Sequence, residues 1–293
     1  MENYVEGFIS AFLGAFQWTW RSILFEVPWY KNFFWGIILL SLTVWILELL
    51  FPWRKQQSAF RKDFGLDVFY LFFNFFIFSI AISGCYRMIS LFFAQRGLHP
   101  QSFMVVDITQ WSAGLQLFVF FVLLDFVQWI THILLHKYDF LWQFHKIHHS
   151  VKEMGFAAHM RYHWMENVLY KPFKTLALML LGGFEPEQAF IVHFITIAIG
   201  HLNHANIKIN WGPLRYVLNS PVMHLHHHAY HLPPGKFGVN FGISLSVWDY
   251  LFNTHHVPNE NGQLPLGYPG DENLPQGFWK QMIYGFSRRS SSD

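Results

Sequence analysis

The sequence predicts an all-α, polytopic integral membrane protein with a histidine-rich cap on the cytoplasmic side. Three observations carry that prediction. Hydrophobic residues make up 53% of the chain and charged residues only 13%, about half the charged share of an ordinary water-facing domain. Several apolar runs approach the roughly 20 residues a helix needs to cross a bilayer. The 18 histidines are concentrated in short clusters that begin where these runs end.

Residues 1–32 read as an N-terminal interfacial segment. Val5–Trp20 is apolar but carries Glu6 and Gln17, which suits an interfacial helix or a marginal span. Glu2 and Glu6 stand where a signal peptide would be basic. Residues 33–114 form a membrane scaffold. Phe33–Phe51 is a span, with Trp35 and Trp53 at its interfaces and Pro52 as its stop. Arg54, Lys55, Arg61 and Lys62 make the next loop basic and therefore cytoplasmic. Val68–Phe93 returns, long enough to tilt, with Arg87 near its far end able to snorkel. The connection Gln95–Gly114 carries only Arg96 and belongs to the opposite side. Leu115–Leu135 is a third span, so the first histidine cluster starts at its cytoplasmic mouth. Phe173–Leu181 and Gln188–Gly200 flank Gly182-Gly183-Phe184-Glu185-Pro186. Each is short for a span, and together they read as a hairpin that dips into the bilayer with both ends cytoplasmic. Residues 205–293 are polar and rich in Gly, Pro and Asn, which predicts a cap. Residues 256–293 are its tail, and Ser287–Asp293 is expected to be disordered. No internal repeat divides the chain, and residues 1–293 read as a single domain with its core at 115–255.

The chemistry is concentrated in Thr131–Ser150, THILLHKYDFLWQFHKIHHS. His132 and His136 are four apart and share a helix face. His145, His148 and His149 repeat the spacing at i, i+3 and i+4. Neutral imidazole is the commonest metal-binding side chain, and two such sets in one run are a metal-ligand pattern. A second cluster, His224 to His231, repeats the HxxHH spacing at His224, His227 and His228, while His226 points elsewhere and His231 is either an outer-shell or a surface residue. His201 and His204 are i, i+3, and His204 is the preferred ligand of the two. His99, His159, His193, His255 and His256 are expected to be surface or satisfied core histidines. Asp125, inside the third span and seven residues before His132, is a costly intramembrane carboxylate. Its predicted role is to accept a hydrogen bond from a ligand imidazole and fix its tautomer, the alternative being a structural partner for Trp129, Gln128 or Arg87. One ion takes at most six ligands, so eight or more candidates predict two neighbouring metals, with zinc, iron and copper all compatible with nitrogen donors.

The absences narrow the class. A net charge of +2 gives no argument for a nucleic-acid partner. Cys85 is the single cysteine, which excludes an internal disulfide and an iron–sulfur cluster. No Gly-x-Gly-x-x-Gly follows a strand and no Gly-x-Ser-x-Gly occurs, so neither a Rossmann cofactor domain nor a serine-hydrolase elbow is present. Redox work at the metals would therefore need electrons from a separate protein. A metal transporter would keep its ligands near the bilayer midplane, whereas most of these lie beyond the spans.

The ordered motifs resemble the fatty acid hydroxylase / sterol desaturase superfamily. They are Asp125-x6-His132-x3-His136, His145-x2-His148-His149-Ser150, Arg161-x-His163-x2-Glu166, His204-Ala-Asn206, His224-x2-His227-His228, Asn240-Phe-Gly242 and Trp248-Asp249-x-Leu-Phe-x-Thr254. The resemblance implies two iron ions per chain, O2 as co-substrate, a membrane lipid substrate and an external electron donor. It implies His132, His136, His145, His148, His149, His204, His224, His227 and His228 as ligands, with a structural or outer-shell role for His163. It also implies hydroxylation or desaturation of a sterol-like or fatty-acyl C–H bond, with an ether-lipid (alkylglycerol) monooxygenase or a carotenoid hydroxylase as the alternatives. Two positions depart from the family pattern: Trp164 replaces a usual Pro, and Asn253 a usual Gly.

Overall fold

The computed structural model describes residues 2–182, 186–259 and 261–286. The tail Ser287–Asp293 and the Gly183-Phe184-Glu185 part of the expected hairpin turn lie outside the described residues. Among those described, the regular structure is helical, with only isolated β-bridges such as Pro52 to Ile207.

α1 (Tyr4–Ile23) begins at Asn3, whose side chain accepts the Glu6 N–H while Glu6 reaches back to the Asn3 N–H, a reciprocal cap. It lies along α4 (Ser79–Ala94), where Gly84 admits the Phe8 ring at a distance a Cβ would occupy. Arg87 forms an ion pair with Glu2 instead of reaching an interface alone. α2 (Phe33–Leu50) matches the first expected span. α3 (Phe64–Phe72), a π-helical stretch Phe73–Phe78 and α4 form one continuous 31-residue helix, and α5 (Ala113–Lys137) is the third. These three helices are long and apolar enough to cross a membrane.

The expected hairpin is longer than its apolar runs. α7 (Trp164–Leu181) starts nine residues before Phe173 and continues through Pro172, and α8 (Pro186–His204) carries His204 at its end. Hydropathy underestimated both because their first or last turns are polar and point at the histidines. The cap contributes α6 (Asp139–His149), α9 (Pro221–His227), α10 (Val247–Leu251) and α11 (Phe278–Tyr284). α9 is short and sharply started: Ser220 caps the Met223 N–H and Pro221 occupies the first turn, where a missing N–H costs nothing.

Buried charge joins scaffold to cap. Glu48, near the end of α2, accepts the N–H groups of Phe156 (2.8 Å) and Asn206 (2.6 Å). Asp67 of α3 is fully buried between Arg61 and Arg161 and pairs with both. Asn74, in the π stretch, donates to Tyr162 O at 3.0 Å. Together these contacts clamp the 3₁₀ turn Phe156–Met160 and the segment after it against α2 and α3. Removing one partner of a buried ion pair costs about 3–5 kcal/mol. Asp67→Ala is therefore expected to lower the thermal unfolding midpoint in detergent by roughly 10 °C, and an unchanged midpoint would show that the clamp carries no stability.

Candidate metal centre

α5 ends with His132 and His136 one turn apart, and α6 follows after a single extended residue, Tyr138. That tight junction folds α6 back so that His145 and His149 face His132 and His136. α8 delivers His204, and α9 delivers His224, His227 and the capping residue His228. The result is two groups of imidazoles. His132, His136, His145, His149 and His227 place one nitrogen each within 4.8 Å of one another, and so do His148, His204, His224 and His228. The groups adjoin: the rings of His149 and His228 stack with centroids 4.3 Å apart.

Each HxxHH box is split. His145 and His149 belong to the first group and His148 to the second; His224 and His228 belong to the second and His227 to the first. An i, i+4 pair sits nearly above itself on a helix, while i+3 lies about 100° from i+4. Each box thus straddles both groups.

Ring orientation is fixed from behind. Nδ1–H of His132 donates to Phe241 O (2.7 Å), of His227 to Val239 O (2.7 Å), of His148 to Arg161 O (3.1 Å) and of His204 to Gly200 O (2.7 Å). His145 Nδ1–H donates to the buried carboxylate of Glu166 at 3.0 Å. With Nδ1 protonated, each Nε2 carries its lone pair inward. The Nε2 atoms of His132 and His145 then lie 3.1 Å apart, those of His148 and His204 3.2 Å, and those of His204 and His224 2.9 Å. The buried Nε2 atoms of His136, His149 and His227, and Nδ1 of His224 and His228, meet no hydrogen-bond partner among the described residues. Burial, then the neighbouring imidazoles, holds His148, His149, His224 and His228 well below the usual imidazole range. Neutral, converging and unsatisfied nitrogens are the donor set of an imidazole-ligated transition metal, and the residues fit two ions.

Several candidate residues stand outside the two groups. Asp125 touches no imidazole. Its carboxylate accepts the N–H groups of Ser244 (3.0 Å) and Leu245 (3.2 Å) and Trp248 Nε1–H (2.9 Å). Seven residues share a helix face with His132 but stand about 10 Å along the axis, beyond hydrogen-bond reach. Glu166, and not Asp125, is the carboxylate behind a histidine of the first group. Asp249 acts one step back: it accepts the N–H groups of Phe241 (2.9 Å) and Gly242 (2.8 Å) and so sets the Phe241 carbonyl under His132. His163 is the N-cap of α7. It donates to Met282 O (2.8 Å) and accepts the Met165 N–H (3.0 Å), so neither nitrogen is free for a metal. His231 is exposed against Tyr230, because α9 stops at His227 and the helical phase that would have turned it inward ends there. His201 belongs to neither group; its nitrogens lie 3.1 Å from Ser41 Oγ and 2.8 Å from His159 Nδ1. His159, expected to be a bystander, stacks on His204 with centroids 5.0 Å apart. Gly200 makes room for that ring, which a Cβ there would strike.

The two departures from the family pattern are explained locally. Asn253 adopts φ +55°, a left-handed conformation that Gly takes freely and Asn tolerates best among the others. Trp164 occupies the first position of α7, where Pro is favoured, and its indole N–H donates to Met282 O at 3.0 Å.

Two cavities reach the histidines. One of about 140 Å³ touches His132, His145, His148 and His204 from between α5, α7 and α8. The other, about 250 Å³, touches His136, His149 and His227 from the cap side, beside Trp142 and Tyr268. Losing a carboxylate behind a ligand imidazole weakens metal binding by about 10–100-fold. Glu166→Ala is expected to show that loss in chelator-competition titrations, whereas His163→Ala should lower thermal stability and leave metal affinity in place. Equal metal affinity in wild type and Glu166→Ala would contradict this assignment.

Residues 117–254 match the fatty acid hydroxylase family model. An ornithine lipid hydroxylase of Rhizobium tropici is 30% identical over 185 residues, covering 63% of this chain and 54% of that protein. The alkylglycerol monooxygenase of Homo sapiens is 26% identical over 258 residues, 83% of this chain and 52% of that protein. The human cholesterol 25-hydroxylase is 25% identical over 138 residues, 45% of this chain and 48% of that protein. The chain thus spans about half the length of the curated relatives it matches. No solved structure matches it. The matched segment 117–254 contains all nine histidines of the two groups.

Proposed function

We propose that the chain is a membrane di-iron oxygenase that hydroxylates or desaturates a lipid C–H bond with O2 and electrons from a separate protein. The observation that carries this reading is the division of nine histidines, eight buried and His136 half-buried, into groups of five and four. Nine nitrogens exceed the shell of any single ion, and two adjoining groups supply two shells. His132, His136, His145, His149 and His227 would hold one iron; His148, His204, His224 and His228 would hold the other. Bound there, the iron pair supplies O2 activation and the oxidation of an unactivated C–H bond. Hydroxylation consumes O2, two electrons and two protons and yields one alcohol and one water. Desaturation consumes the same and yields an alkene and two waters.

The chain's own residues do the positioning. Glu166 and the carbonyls of Phe241, Val239, Arg161 and Gly200 hold five rings with their lone pairs inward before any metal arrives, which avoids reorganisation on binding. Phe75, Met160, Ile197 and Ile243 line the smaller cavity with apolar surface, which keeps water from competing with substrate. The Arg54–Lys62 loop remains the argument for a cytoplasmic metal site. With it, α7 and α8 form a hairpin that enters the bilayer from that side. The cap-side cavity beside Trp142 and Tyr268 is the side on which a soluble electron donor would approach.

A second reading, an ether-lipid monooxygenase, is favoured by the greater share of this chain that aligns with alkylglycerol monooxygenases, 83% against 63% for the ornithine lipid hydroxylase. It requires a reduced pterin, so turnover that depends on added tetrahydropterin separates the two.

The full chain, purified in detergent and loaded with ferrous iron, should hold about two irons, the number set by shells of at most six ligands, and should consume O2 when a reductant and lipid extract are supplied. His148→Ala should lose part of the iron. Lipid profiles of cells expressing wild type but not His148→Ala should show a species heavier by one oxygen or lighter by two hydrogens. Tight metal binding without O2 uptake under any reductant would favour a metal carrier and overturn the oxygenase.

A further inference from the structure

The smaller cavity has two unlike walls. One is formed by ligand-bearing imidazoles, the other by Gln128, Lys174, Tyr170 and His193. Nothing in the proposed chemistry uses the second wall. Lys174 Nζ donates to Gln128 Oε1 at 2.5 Å and lies 5.4 Å from the centre of the Tyr170 ring. That amide oxygen is its only hydrogen-bond acceptor among the described residues. Of the carboxylates nearby, Asp125 is already committed to Ser244, Leu245 and Trp248, and Glu166, which lines the histidine side of the same cavity and accepts from His145, stands two turns from Lys174 on α7. Lys171, the neighbouring amine, faces elsewhere, over the Tyr86 ring at 3.9 Å.

The wall is therefore rich in donors and poor in acceptors. Two N–H groups of Lys174, the amide NH2 of Gln128, the Tyr170 hydroxyl and the His193 ring have no hydrogen-bonded acceptor among the described residues. An ammonium removed from water with one neutral acceptor is costly unless an oxygen-rich group joins it. The mouth lies at His193, which is exposed on α8, stacks on Phe33 and meets Phe75 edge-on, with ring centroids at 5.8 and 6.2 Å. An amphiphile can reach the wall from the side of the helix bundle.

We infer that this wall is a headgroup subsite: Lys174 and Gln128 bind the carboxylate or phosphate oxygens of a single-chain or multi-chain amphiphile whose polar end enters past His193. Its consequence for the reaction rests on the oxygenase reading. Gln128 and His132 are i, i+4 on α5, so their Cβ atoms stand one turn, about 5–6 Å, apart, and both line the same cavity. That separation is a few carbon–carbon bonds. The carbon oxidised is then one close to the anionic group, in the headgroup or at the head of a chain, and not one in the middle of a long acyl tail.

The test is equilibrium displacement of tritiated hexadecanoate from the full chain in detergent, without O2. Hexadecanoate and hexadecyl phosphate should displace the label at concentrations about tenfold lower than hexadecanol, the scale of one charge-assisted hydrogen-bond pair. Lys174→Met should abolish that preference while hexadecanol binding and metal content stay as in wild type. Lys174→Arg should keep the preference. Hexadecanol competing as well as the anions in wild type, or an anion preference that survives in Lys174→Met, overturns the subsite. Loss of metal and of hexadecanol binding in both variants would make Lys174 a structural residue and also overturn it. Because binding is read without turnover, an anion preference in a protein that never consumes O2 would sink the oxygenase and leave the subsite standing. A lost preference in an active enzyme would do the reverse.

Discussion

Nine imidazoles whose nitrogens converge in a largely buried interior set their lone pairs against one another unless a cation stands between them. This constraint organises the molecule. Each unsatisfied buried polar group costs about 1–3 kcal/mol, and five such nitrogens meet no hydrogen-bond partner among the described residues. The fold holds that arrangement by making the reverse side of the rings favourable. The strap from Val239 to Asp249 offers carbonyls to His227 and His132. It is itself fixed at both ends by buried carboxylates, Asp249 on Phe241 and Gly242, and Asp125 on Ser244 and Leu245. The Asp67 ion pair does the same for Arg161, whose carbonyl orients His148.

The exchange between boxes gives the site its economy. Two HxxHH segments on two helices each send an i, i+4 pair to one group and the remaining histidine to the other. Neither group can form without residues from both α6 and α9. The two prospective ions are thereby tied into one structural unit, and α5 and α8 complete a shell each. A single box displaced by one residue would turn its imidazoles by about 100° and dismantle both groups together.

The helices that bear the histidines also line the cavity beside them. α5 carries Gln128 one turn before His132, and α7 carries Glu166 and Lys174 two turns apart. Positioning of the rings and selection of the ligand are thus built on the same rigid elements, where spacing is set by helical rise and not by a loop. The exposed aromatic surface of the three apolar helices suits a substrate that arrives from lipid, and the polar wall beside the histidines suits its oxygen-bearing end.

The sequence by itself determined the helical class, the three long apolar helices and which histidines belong to boxes, because hydropathy and a 3.6-residue period are local properties. It also determined that Glu166, Asp249 and Asn240 matter as members of ordered motifs, though not what they touch. Only the tertiary structure decided which imidazole joins which group, since period specifies a face and leaves open the neighbour across it. It removed Asp125 from the imidazoles, because a shared face says nothing of the distance along the axis. It also removed His163, whose nitrogens are both engaged, and His231, which lies past the end of its helix. And it brought His159 onto His204, and Lys174 against Gln128, from segments more than 40 residues apart, contacts that no short-range pattern records.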